Sequence, residues 1–275
     1  TAVEKIDHAM AEKKEFSEGY VILAGLDLMA SKSMNEIASL DSELIESAVA
    51  FNFSNKTNHY NSWFDYLLSN HKNKVLPALT KYWVAMLKNN ATYIPGRNLV
   101  FSDAPDIEVV KYTILSLLEH WRNCKAKTLF QMLQLALKHS DANELLMVCE
   151  RVLENDERLN EKTRLYWIAT AYLISPEKYL ATLSNYVGRV KMKIMPLLDF
   201  VTVIIASQDE VIVELDDKLV AQLLRIIAPI FPPQQHMYGA LGNLDINSRN
   251  VMLMFYFLVR SNNKGVTNEI KALRK

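Results

Sequence analysis

Glycine is scarce in this chain: 7 residues of 275, with 8 prolines, against a usual glycine share of ~7%. Few turn residues mean few turns. A β-sandwich or barrel needs a turn roughly every 8–12 residues, so the shortage excludes those folds and points to long helices. There is no excess charge of either sign: Lys+Arg 31 balances Asp+Glu 31. A protein that lives on phosphate neutralisation shows a basic surplus or stripe, so the balance argues against nucleic acid as the partner. The two cysteines, Cys124 and Cys149, make no disulfide framework, which suits a reducing compartment, the cytoplasm.

Long apolar runs are missing too. The best is Ile194 to Ala206, which contains Pro196 and Asp199. A spanning helix needs ~20 apolar residues, so this one reads as a buried helix and the chain as having no membrane segment. The N-terminus is charged (Glu4, Lys5, Glu12, Lys13, Lys14, Glu15) and has no signal-peptide pattern. The chain opens on Thr1 within a helical pattern, which reads as a fragment of a larger protein.

What the chain has is apolar residues, 50% of the total, set almost everywhere at a period near 3.6. Ile107, Val110, Ile114, Leu117, Leu118 and Trp121 form one stripe. Leu129, Leu133, Ala136 and Leu137 form the next, then Leu145, Val148, Cys149 and Val152. Leu180, Leu183 and Val187 follow, and then Leu219, Leu223, Ile226, Ile227 and Ile230. One-sided stripes must be buried against neighbours. Ser33-x-x-Glu36 and Asp141-x-x-Glu144 read as helix starts of the capping-box kind. Ser175-Pro176 puts a cap residue before a proline at the first helical position, and Asp216-Asp217 opens the Leu219 helix at its positive dipole end. Short connections between such helices predict antiparallel neighbours.

Two stretches break the period. Residues 91–106 contain Pro95-Gly96-Arg97-Asn98, and residues 231–249 contain Pro232, Pro233, Gly239 and Gly242. The first also marks a possible subdivision of an otherwise single helical-repeat region. Val211-Ile212-Val213 is a weak strand pattern. One internal match stands out. Trp63, Lys74, Leu76, Leu79 and Tyr82 recur 104 positions later as Trp167, Lys178, Leu180, Leu183 and Tyr186, the pattern expected of stacked helix-hairpin units.

No constellation identifies a reaction. His120 and Cys124 share a predicted helix face, but zinc needs three or four ligands and no second pair follows at ligand spacing. A Cys–His nucleophile lacks a third, orienting group, and there is no G-x-S-x-G elbow. Residues 203–210 look like an apolar run ending in acidic residues, yet no phosphate loop is present. Arg189, Lys191 and Lys193, beside Tyr186, read as a solvated charged face. The composition therefore implies no cofactor and no metal.

The run from Trp167 to Leu180, with Ile230-Phe231-Pro232-Pro233 further on, resembles the HEAT-like helical regions found C-terminal to the ATPase domain in bacterial NACHT and other STAND-type proteins. That resemblance implies a sensing and scaffolding role and carries over no catalytic or nucleotide-binding residue. The expectation is an all-α chain of antiparallel hairpins stacked as a HEAT-like α-solenoid, binding another macromolecule, a protein. The competing expectation is an all-α enzyme whose pocket is built from dispersed polar residues. The partner-binding candidates are Arg97, His236 and Tyr238 on the irregular segments. Tyr60 and Trp83 join them from residues 60–83, which hold more aromatic side chains than one core face readily buries.

Overall fold

The computed structural model describes residues 17–54, 61–89, 91–102, 104–121, 124–155, 159–206, 217–230, 251 and 254. Among these residues there are twelve α-helices, one short 3₁₀ turn and no strand. The chain divides into two compact units, Thr1–Cys124 and Lys125–Lys275, so residues 91–106 lie inside the first. The weak strand at residues 211–213 and the irregular stretch 231–249 lie outside the described residues, as does Asp216.

The first unit contains α1 (Ser17–Lys32), α2 (Met34–Ala38), α3 (Ser42–Ser54), α4 (Ser62–Asn70), α5 (Lys72–Lys88) and α6 (Ile107–His120). α3 and α6 both pack on α5. α6 buries Val110, Ile114, Leu117 and Leu118 as its stripe predicts, while Ile107, on its first turn, stays 39% exposed. Asp106, which the sequence reading passed over, caps this helix: one carboxylate oxygen accepts from the amides of Glu108 (3.0 Å) and Val109 (3.3 Å). The same carboxylate takes Lys72 Nζ at 3.1 Å, and Lys72 also reaches Glu108 at 2.9 Å. Burial works against the ionised form of Asp106. The Lys72 ammonium and the two backbone amides outweigh it and hold the carboxyl below its ordinary range.

The second unit contains α7 (Ala126–His139), α8 (Ala142–Asn155), α9 (Glu161–Ile174), α10 (Pro176–Val187), α11 (Lys191–Ala206) and α12 (Asp217–Ile227). α9 is its hub, packed against α7, α8, α10 and α11. That position explains why Leu165 through Leu173 are buried without a break: a helix enclosed on all sides has no polar face to keep. Its Thr170 satisfies its hydroxyl on the Tyr166 carbonyl at 2.8 Å, and Thr202 in α11 does the same on Leu198 at 2.7 Å. The stripes on α7, α8, α10 and α12 point inward, except that Leu180, Ile226 and, past the end of α12, Ile230 are only half-buried. α11 buries Ile194, Leu197, Phe200, Val201 and Ile204 and turns Asp199 outward. Asp141 caps α8 through the amides of Asn143 (2.8 Å) and Glu144 (3.0 Å). Ser33 and Ser175 occupy their expected cap positions but make no side-chain cap bond. No described helix is long and apolar enough to cross a membrane.

The match at a spacing of 104 extends to the backbone. α4 ends at Asn70 and α9 at Ile174; α5 begins at Lys72 and α10 at Pro176. The single joint residues are His71 (φ −136°, ψ 45°) and Ser175 (φ −134°, ψ 74°). His71 N–H donates to Leu67 O at 2.7 Å and Ser175 N–H to Ala171 O at 2.8 Å. The next helix then starts with Val75 N–H on His71 O (3.4 Å) and Tyr179 N–H on Ser175 O (3.2 Å). These partners are displaced by the same 104 positions, while His71 O also accepts from Lys74 N–H at 3.0 Å. Trp63 and Trp167, and Leu79 and Leu183, are buried in both hairpins.

Candidate functional site

The segment that joins α5 to α6 is built to hold its shape. Trp83, near the end of α5, is fully buried, and its indole N–H donates to the Pro95 carbonyl at 2.8 Å. Ile94 and Val100 plug the core on either side of the turn, each at 0% exposure. Between them Gly96 takes φ 71°, a left-handed conformation that glycine adopts without penalty. A Cβ there would lie 2.5 Å from Cε1 of Phe53, so the ring of α3 presses against the bare glycine. Phe53 is itself fixed, edge-on to Phe64 (5.3 Å) and stacked on Tyr82 (6.3 Å). The 3₁₀ turn Arg97–Leu99 follows, closed by Phe101 N–H on Arg97 O at 2.8 Å. Phe101 packs on Trp121 at 6.2 Å, and Asp106 N–H returns to Leu99 O at 3.1 Å.

What this frame turns outward is a pair. Tyr93 is 53% exposed and Arg97 is exposed, with the guanidinium carbon 5.4 Å from the centre of the tyrosine ring. A surface cation–π contact of that kind contributes ~0.5–1 kcal/mol, enough to bias both rotamers. Tyrosine and arginine are the side chains most enriched at interface anchors, together with tryptophan. Here they stand on a loop whose backbone is already ordered, so binding through them loses little further backbone entropy.

Arg97 is exposed, and Trp83 is not. Trp83 was expected to be offered on an aromatic-rich surface; it lies in the core instead, because Trp63, Phe64, Tyr82 and Trp83 are all buried. The hairpin can bury them because α3 and the 91–102 loop add two further walls, which no single-helix count foresees. Trp83 acts on the site from below, as the donor that fixes Pro95. Tyr60, His236 and Tyr238 lie outside the described residues. Tyr93 was missed, although its place four residues before Arg97 was a legible signal.

The helix carrying His120 ends there, so His120 and Cys124 do not share the expected helix face. His120 Nδ1 lies 2.9 Å from the Ser116 carbonyl in its own helix. Cys149 is fully buried on α8, and burial pushes its thiol far above the ordinary range. Among the described residues no three His, Cys, Asp or Glu side chains come together where a metal ion would sit. Lys193 is held over the Tyr186 ring at 4.4 Å, 3.7 Å from Glu161, while Arg189 lines a cleft between α10 and α12. No protein-family model, curated protein or solved structure matches this chain.

Proposed function

We propose that this chain is a non-catalytic helical scaffold that binds another protein, and that Tyr93 and Arg97 form part of the binding surface. The observation that carries the reading is the braced 91–102 loop. Buried Trp83, Ile94, Val100 and the Phe53–Gly96 contact are spent on presenting two exposed side chains of the type that anchors interfaces.

Two features support a repeat architecture of the HEAT kind beneath it. In the second unit the main helix contacts join elements one or two apart in sequence: α7 with α8 and α9, α8 with α9, α9 with α10 and α11, α10 with α12. That is the contact pattern of stacked hairpins, where each repeat meets only its neighbours. The hairpin joints at His71 and Ser175, 104 residues apart with matching hydrogen bonds, fit a duplicated unit. The α9–α10 hairpin also carries the run that resembles the helical regions of STAND-type proteins. On that basis the chain serves as the recognition part of a larger bacterial protein of this kind.

The test is capture of partners from the native host, using a photo-crosslinking residue in place of Tyr93, with Arg97→Ala as the paired variant. Exposed substitutions leave stability within about 0.5 kcal/mol, and losing an interface anchor costs more than about 1 kcal/mol of binding. The variant should therefore fold normally and bind at least fivefold more weakly. A normally folded Arg97→Ala protein that keeps every partner at full affinity refutes the assignment.

A further inference from the structure

We draw no further inference here: the strongest candidate, the outward apolar face of α1, leaves Tyr20, Val21, Ala24, Gly25 and Leu28 exposed, and nothing in the structure shows what covers it.

Discussion

Two tryptophans in the first unit form a matched pair that tests how the loop is braced. Trp63 and Trp83 are both at 0% exposure. The Trp83 N–H is bonded to Pro95, whereas the Trp63 N–H has no hydrogen-bond partner among the described residues. Changing either to phenylalanine removes the same atoms, so the transfer and cavity penalties cancel to first order when the two variants are compared. The hydrogen bond does not cancel. Trp83→Phe strands the Pro95 carbonyl, at a cost of roughly 1–3 kcal/mol. Trp63→Phe deletes a buried donor that was already unsatisfied, which offsets part of its cavity penalty. Pro95 is half-buried and water can reach its carbonyl in part, so the expected gap is about 1–2 kcal/mol, from the lower part of that range. Denaturant unfolding followed by far-UV circular dichroism measures it, provided both variants keep the wild-type slope. Amide exchange at Leu99 and Phe101, whose N–H groups close the 3₁₀ turn, should quicken in Trp83→Phe alone. Equal destabilisation within about 0.5 kcal/mol, the level of a neutral change, would refute the claim that this hydrogen bond braces the loop.

Gly96→Ala should destabilise the chain by roughly 1–3 kcal/mol through its left-handed backbone, and by more where Phe53 fails to yield; thermal unfolding reads the loss. Asp106 has a lowered folded pKa, so its contribution is full above the ordinary carboxylate range and is lost as pH falls through the lowered value. Asp106→Asn keeps an N-cap acceptor but no titrating charge, and its stability should fall less steeply than wild type on the acid side. Cys149 should resist a thiol reagent in the native state, because the reactive species is the thiolate and burial suppresses it; labelling before unfolding would contradict the placement of α8.

The helices were legible because their signal is local. Stripes such as Leu129-Leu133-Ala136-Leu137 and Leu145-Val148-Cys149-Val152 have one face each, and that face is buried. α9 was harder. Its apolar residues run all round, and only the packing of α7, α8, α10 and α11 explains why. Capping was half legible: Asp141 does what its spacing promises, Ser33 and Ser175 do not bond, and Asp106 was hidden at the end of an irregular segment. Exposure was least legible of all. Arg97 was placed outside by its loop, but Trp83 was misplaced because its indole N–H is taken by Pro95, 12 positions away in the chain. The cleft at α10 and α12 joins residues from 177 to 229, a separation that no motif spans.

The scarcity of glycine acquires a second meaning from these positions. Among the described residues two glycines adopt positive φ, Gly96 and Gly188, and each is followed directly by an exposed arginine, Arg97 and Arg189. Geometry links the two facts. A left-handed residue swings the chain off the path it was following, so the next side chain leaves the packed face and projects into solvent. In one case the glycine precedes the 3₁₀ turn under Tyr93; in the other it ends α10 at the rim of the cleft. Gly-Arg occurs twice in 275 residues, once on the loop before α6 and once at the end of α10. A chain poor in glycine places one before each of these exposed arginines, and at Gly96 a Cβ would meet Phe53 Cε1 at 2.5 Å, so a larger residue requires that ring to shift.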